Sequence, residues 1–331
     1  MSLIILTKSP KAGLFSKEIY WRVLRRLAGV KRGPDAVMDS LLRGLDELKR
    51  PYLLNVKSTE IKPEDTVFVN GSLETLQWAI KERKKFKKLV AGPNLVVTPN
   101  DGGGIINAPE IDLILQPSDW VRDFYLSISP RLSEKIKVWP AGVRVPEITN
   151  NRREKILVFV KNSLSGGELQ ALKNALAALS YKFIIKRSER SESEAFTSER
   201  AQIKYPVGFI FYDDYKQADY FRELNQAKAM LYFSLSESQG LALQEAWARN
   251  VPTLVWDRGR YEYNNYFWCA KNISCPYLNE RCGMTFADFA ELPAILEEFL
   301  RVLKRFDPRA YVEEQLSDLR SAEKLLAIVG L

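Results

Sequence analysis

Short apolar runs alternate with amphipathic stretches along the whole chain. In the first half, Leu3–Thr7, Tyr52–Val56, Thr66–Asn70, Leu89–Ala91, Leu95–Thr98, Leu113–Gln116 and Ile136–Trp139 have the length and composition of buried strands. Between the first two, Lys17–Leu27 sets Ile19, Tyr20, Val23, Leu24 and Leu27 at helical spacing, with Arg22, Arg25 and Arg26 on other faces. Leu73–Lys88 reads as a helix with a very basic end, KERKKFKK, and cations near a helix C-terminus complement its dipole. The second half repeats the plan. Its strands are Ile156–Val160, Lys182–Ile185, Val207–Phe211, Met230–Leu235 and Thr253–Trp256, and its helices Gly167–Leu179, Asp219–Ala227 and Gly240–Arg249. From Ala294 to Val329 the pattern is helical, broken at Asp307–Pro308, because proline disfavours helical backbone in the residue before it. Alternating strands and helices predict parallel sheets covered on both faces, and so an α/β protein of two doubly wound domains. The stretch Pro140–Lys155, with two prolines, a glycine, an Asn pair and a charge run, has the character of a linker between them. Ser188–Ser198 (SERSESEAFTS) reads as a polar loop.

Composition narrows the chemistry. The 331 residues suffice for two domains, and 46% hydrophobic with 27% charged residues is the balance of a globular protein. No apolar run approaches the ~20 residues of a membrane-spanning helix, and Leu3–Leu6 is too short for a signal-peptide core, so a cytoplasmic protein is expected. The chain has no histidine, which excludes Ser-His-Asp and Cys-His catalysis, imidazole bases and every His-containing zinc site. Cys269, Cys275 and Cys282 lack CxxC spacing and read as packing or incidental thiols, so no metal is expected. The net charge of +8 is uneven, with 24 Lys and Arg against 17 Asp and Glu in residues 1–150, and 25 against 24 in 151–331. A basic first half suits an anionic partner, although a solvated surface is the better account of most of these charges.

One segment concentrates candidate chemistry: Ser234–Asp257, SLSESQGLALQEAWARNVPTLVWD. Glu237 and Glu245 stand eight residues apart around Gly240, which opens a helix between two apolar strands. A helix N-terminus presents unpaired N–H groups and a partial positive charge to a diphosphate. Carboxylates accept hydrogen bonds from sugar hydroxyls. The plain alternative is that a Glu in the first turns of a helix merely complements its dipole. In open parallel sheets ligands bind beyond the carboxyl ends of the strands, where Glu237 and Gly240 fall.

The segment resembles the signature of retaining GT-B glycosyltransferases, specifically glycosyltransferase family four. It carries Ser234, Glu237, Gln239-Gly240-Leu241, Glu245, Ala246 and Val251-Pro252 in the family's order and spacing. Weaker echoes lie in Pro117–Tyr125, Val138–Pro146, Lys155–Asn162 and Arg305–Val329. The resemblance implies two Rossmann-like domains facing across a cleft: an acceptor-side domain over residues 1–146, a nucleotide-sugar domain over 147–300, and helices over 301–331 that return to the first domain. It implies that Glu245 binds the ribose, that Glu237 faces the donor sugar, and that backbone N–H groups of Gln239, Gly240 and Leu241 hold the diphosphate. Lys161 and Lys186, each at the end of a strand, would neutralise the leaving diphosphate. Gly13 in the first loop, KSPKAG, would line the sugar site, and Tyr212 would edge the base pocket. Two departures stand out: Gln239 replaces an aromatic, and the family's histidine from the first domain is absent, with Asn94 the candidate to replace it.

The expected reaction is transfer of a sugar from a nucleotide-diphosphate sugar to a glycan, lipid-linked or other acceptor, with retained configuration. No Asp-x-Asp motif occurs, in keeping with chemistry that needs no metal cofactor. The alternatives are a sugar-nucleotide epimerase and a degenerate, non-catalytic nucleotide-sugar-binding or interaction protein of the same fold. The Ile80–Lys88 segment holds a single aromatic, Phe86, and no nucleic-acid-binding motif, so no nucleic-acid partner is expected. Peripheral membrane contact through the basic first domain is the better expectation, since it suits a lipid-linked acceptor.

Overall fold

The structure is a computed structural model that describes residues 2–10, 33–148, 154–162, 164–178, 181–184, 205–212 and 216–331. The expected helix at Lys17–Leu27, the polar segment Ser188–Ser198, and the candidates Gly13 and Lys186 lie outside the described residues. The chain divides into two compact units, residues 1–142 with 315–331 (unit 1) and residues 143–314 (unit 2).

Unit 1 is a six-stranded parallel sheet of β1 (Leu3–Leu6), β2 (Tyr52–Leu54), β3 (Thr66–Val69), β4 (Lys88–Ala91), β5 (Leu113–Gln116) and β6 (Ile136–Val138), in the order β2-β1-β3-β4-β5-β6. Every residue of β1 and β3 is buried, as strands covered on both faces must be. Its helices are α1 (Gly33–Glu47), α2 (Leu73–Lys81) and α3 (Asp119–Ile128). The start of α2 is set by Ser72, whose hydroxyl accepts the Thr75 N–H at 3.3 Å.

Two expectations fail here for local reasons. The basic helix stops at Lys81 instead of Lys88. Arg83 donates to the carbonyls of Glu110, Phe86 and Lys87 and to the Asp112 carboxylate, while Phe86 turns to extended backbone and buries its ring. Lys85 pairs with Glu82, and Lys88 donates to the Val329 carbonyl. Three of the cations expected to meet an anionic surface are thus engaged within the fold. The second failure is Leu95–Thr98, which is a turn rather than a strand. Asn94 enters it with φ +61°, the Asp101 carboxylate accepts the Thr98 N–H, and the Tyr125 hydroxyl donates to the Val96 carbonyl. Gly102, Gly103 and Gly104 follow in a left-handed turn.

Unit 2 has a second six-stranded parallel sheet. Its strands are β7 (Lys155–Val160), β8 (Tyr181–Ile184), β9 (Tyr205–Phe211), β10 (Ala227–Phe233), β11 (Thr253–Trp256) and β14 (Gly283–Phe286), ordered β14-β11-β10-β7-β9-β8. An antiparallel hairpin of β12 (Arg260–Tyr263) and β13 (Tyr266–Cys269) turns at Asn264, φ +52°, an element that is not among the expected strands. The helices are α4 (Gly166–Ala178), α5 (Gln217–Gln226), α6 (Leu241–Trp247), α7 (Leu292–Arg301) and α8 (Pro308–Gln315). One core layer packs Ile156, Val158, Leu231, Phe233, Leu254 and Trp256 against Leu172 and Leu176 of α4 and Leu296 and Phe299 of α7.

The C-terminal helix α9 (Asp318–Val329) belongs to unit 1 and packs on α1. The helical tail therefore breaks a second time, at Leu316–Ser317, where Ser317 caps α9 by accepting the Arg320 N–H. Arg43 of α1 grips Asp318 with two hydrogen bonds of 2.5 and 3.1 Å. The helices approach so closely that a β-carbon on Gly44 would lie 2.1 Å from the Asp318 carbonyl oxygen. We expect Gly44→Ala to cost about 1–3 kcal/mol through this overlap, read from chemical denaturation. An unchanged midpoint would mean that α9 is not held against α1 at this point.

Candidate functional site

In unit 2, β7 has β9 on one side and β10 on the other, so the sheet grows in opposite directions from the β7–β10 pair. Such a switch point leaves room beyond the carboxyl ends of the two strands, where the chains leading to their helices diverge. Residues 161–162 follow β7 there, and residues 234–240 follow β10.

Glu237 lies in that crevice with its side chain 7% exposed. Its Oε1 accepts from the Lys161 ammonium at 2.7 Å, the Tyr232 hydroxyl at 2.5 Å and the Ser234 hydroxyl at 3.1 Å. A carboxylate removed from water to this degree needs such a set of donors, one of them charged. Asn162 ties the two loops together, its Oδ1 accepting the Leu235 N–H at 2.9 Å. From behind, the Glu237 N–H donates to the Ile273 carbonyl at 2.8 Å. The 272–274 turn is itself gathered on Asp257, whose carboxylate accepts the Asn272 and Ser274 N–H groups.

The ring of Tyr212, at the end of β9, has the Lys161 ammonium 5.4 Å from its centroid. Tyr212 meets Phe159 edge-on at 6.4 Å, and Phe159 stacks on Tyr232 at 5.3 Å. Lys161, Tyr212 and Glu237 are thus brought together by β7, β9 and β10, with Tyr232 as the buried support of the carboxylate.

Gly240 precedes α6 with φ +71°. A β-carbon there would meet only ordinary contacts with Pro276 and Leu243, so glycine is required by the backbone angle and not by space. Gln239 is buried, its carbonyl accepting from the Gln244 side chain at 3.0 Å, and Leu241 begins the helix. Glu245 is half-buried one helical turn on. Its Oε1 accepts from Gln217 of α5 at 3.1 Å, and the Tyr220 hydroxyl of α5 holds the Ala242 carbonyl at 2.6 Å. Asn94 belongs to unit 1, exposed on its left-handed turn just past β4.

The apolar pattern hides Tyr232, Asn162 and Asp257. Tyr232 sits among Met230, Leu231 and Phe233 and counts as one more core residue until its hydroxyl is placed. The signal that would have found it is a hydroxyl-bearing aromatic two residues before the polar end of a buried strand.

Among the described residues no group of three or more Cys, Asp or Glu is placed around a common point. Cys275 and Cys282 are buried and Cys269 is exposed. Burial pushes the Cys275 thiol well above its ordinary range and the Cys282 thiol up to about 12.

No protein-family model and no curated protein matches the chain. Solved structures do. The UDP-forming α,α-trehalose-phosphate synthase of Burkholderia xenovorans superposes with a TM-score of 0.53 at 11% identity, over 99% of this chain and 98% of that one. The lipopolysaccharide outer core galactosyltransferase WaaB does so at 0.51 and 12% identity, over 100% and 99%. The pneumococcal O-GlcNAc transferase GtfA, solved with UDP and GlcNAc, gives 0.52 at 14% identity, over 82% of this chain and 58% of its own. The chain thus spans little more than half the length of GtfA. At these identities the likeness is one of fold, and the fold is that of the GT-B glycosyltransferases, with two Rossmann-like domains.

Two outcomes follow. We expect Tyr232→Phe to cost about 1.5–3 kcal/mol in chemical denaturation, because it strips a donor from a buried carboxylate. An unchanged stability would remove the hydroxyl from the site. We also expect a thiol reagent at pH 8 to modify Cys269 alone in the native protein and all three cysteines in denaturant. Because folding raises the thiol pKa of Cys282 to about 12, its contribution to stability is complete below about pH 8.5 and is lost as pH climbs towards 12, and the raised Cys275 thiol acts in the same direction.

Proposed function

We propose that the protein is a glycosyltransferase that moves a sugar from a nucleotide-diphosphate sugar to an acceptor with retained anomeric configuration. The observation that carries the reading is the Lys161–Glu237 pair at the switch point of the unit 2 sheet, 2.7 Å apart and backed by Tyr232. The solved GtfA, trehalose-phosphate synthase and WaaB structures support it by their shared fold.

The chemistry is departure of a diphosphate while positive charge grows on the sugar. As the C1–O bond breaks, its electrons pass to the diphosphate. An ammonium has three donors, so Lys161 keeps one on Glu237 and offers others to a phosphate oxygen. The backbone of Gln239, Gly240 and Leu241 adds N–H dipoles that need no reorganisation at the moment of reaction. Glu237 orients the sugar and stabilises its developing charge. Glu245 takes the ribose hydroxyls, and Tyr212, exposed beside Lys161, borders the base. Lys186, in the sequence that follows β8, is the second candidate to neutralise the leaving diphosphate. The acceptor is a glycan or a lipid-linked molecule. The protein acts in the cytoplasm, with peripheral contact to anionic membrane through unit 1 and no metal in the reaction. Among the described residues no helix is long and apolar enough to cross a membrane.

One observation favours a second reading. Glu237 Oε1 already takes three donors from the protein, which holds the carboxylate in place as it would be in a protein that binds a nucleotide sugar without turning it over. Incubation with a panel of nucleotide sugars, with and without acceptors, separates the two through released nucleotide diphosphate. We expect release with at least one donor, and a loss of 10²-fold or more in Glu237→Gln, the order of a removed electrostatic stabiliser. Binding without release from any donor supports the second reading. Glu245→Ala should weaken nucleotide binding about tenfold, ~1.4 kcal/mol, by calorimetry. Undiminished affinity would remove Glu245 from the ribose.

A further inference from the structure

Side chains on paired residues of a parallel sheet share a face, and successive residues alternate between faces. Phe159 pairs with Tyr232, which puts the support of Glu237 on one face of the unit 2 sheet. Phe233, Trp256 and Phe286 pair in register on the other face, under α4 and α7. That second face also ends in an open pocket, of about 500 Å³, at the carboxyl ends of β11 and β14. Trp256 and Phe289 form its apolar floor, Gly167 and Glu168 of α4 and Asp288 line it, and Arg258 and Arg260 stand over it.

The polar groups of the pocket are not equivalent. Glu168 is committed, its Oε2 accepting the Ser165 N–H at 2.7 Å at the start of α4. Asp288 is committed in the same way, its Oδ1 accepting the Ala290 N–H at 2.9 Å. The Trp256 indole donates to the Ala287 carbonyl at 3.0 Å, which fixes a ring that is itself buried, with Phe289 edge-on to it at 5.1 Å. Arg258 has no such commitment. The residue is half-buried, its guanidinium carbon lies 5.5 Å from the Trp256 ring centroid, and among the described residues its buried Nε has no hydrogen-bond partner and no ion pair joins it to Glu168 or Asp288. An N–H shielded from water and left without an acceptor is costly, and an anion that accepts from it removes that cost. An arginine plane over an aromatic floor also accommodates a flat ring.

We infer that unit 2 carries a second ligand site, on the face of its sheet opposite Glu237, for a small molecule that joins a phosphate or carboxylate to a planar ring. Arg258 binds the anion, Arg260, which also pairs with Glu262 at 3.5 Å, adds charge from the hairpin, and Phe289 beside the edge of Trp256 takes the ring. The site is independent of the donor assignment at Glu237 and exists whether or not the protein turns over a sugar nucleotide.

Phenyl phosphate and benzoate are the probes, titrated into the full-length protein by calorimetry and by NMR of indole-labelled tryptophan, with inorganic phosphate as the ring-less control. We expect at least one probe to saturate a single site and to shift the Trp256 resonance, assigned with Trp256→Phe. Inorganic phosphate should bind at least about tenfold more weakly, ~1.4 kcal/mol. Arg258→Ala should weaken the probe about tenfold or more, and Arg260→Ala, an exposed change that spares folding, by a few-fold. Glu237→Gln should leave it unchanged, and excess uridine diphosphate should not displace it. The site is refuted if neither probe binds or if both arginine variants bind as the parent does. It is equally refuted if uridine diphosphate displaces the probe, which would place the probe in the crevice at Glu237.

Discussion

Glu237 is a carboxylate kept almost wholly out of water at the end of a buried strand, and much of unit 2 is ordered around that charge. Desolvating a carboxylate costs several kcal/mol unless donors replace the lost water. Here the replacements come from three directions: an ammonium after β7, a phenol within β10 and a hydroxyl just beyond it. Each donor requires its strand to end at the right level, so register, strand length and loop path are all tied to one oxygen atom. The same demand explains the polar residues around it. Asn162 joins the two loops, and Asp257 gathers the 272–274 turn whose Ile273 carbonyl holds the Glu237 backbone.

The sheet separates two chemical regions by its pleat alone. On one face, Phe159, Tyr232, Tyr220 and Tyr212 form an aromatic layer with hydroxyls at its polar end. On the other, Phe233, Trp256, Phe286 and Phe289 form a layer without free hydroxyls, capped by the unpaired Arg258. A single strand, β10, contributes to both through neighbouring residues 232 and 233. One parallel sheet therefore offers two independent sets of ligand chemistry at its carboxyl edge, without any extra domain.

Charge in unit 1 is used differently from its appearance in the chain. The run KERKKFKK looks like a cationic helix, yet Arg83 spends its guanidinium on three carbonyls and a carboxylate, and Lys88 reaches a carbonyl of the last helix. The helix ends at Lys81, and beyond a short 3-10 turn Phe86 buries its ring from extended backbone. A count of cations cannot distinguish this from a binding surface. That distinction rests on where the acceptors lie.

The chain by itself determined whatever depends on neighbours in sequence. Runs such as Leu3–Leu6 and Thr253–Trp256 could only be strands covered on both faces, and their alternation with helices entailed parallel sheets. The spacing from Glu237 to Glu245 around Gly240 pointed to the carboxyl edge, and the left-handed backbone of Gly240 accounts for the glycine. The hairpin at Asn264 carried a local turn signal and an apolar run, Tyr266–Cys269, but it interrupts the alternation of strands and helices and so escaped a reading built on that alternation. Only the tertiary structure decided which groups meet. Lys161 and Glu237 are 76 residues apart, and their contact exists because β10 pairs directly with β7 while β9 takes its other side. Periodicity specifies which face of an element is apolar. It does not specify strand order, and strand order is what brings a lysine, a phenol and a carboxylate to one point while leaving an arginine unpaired on the far side of the sheet.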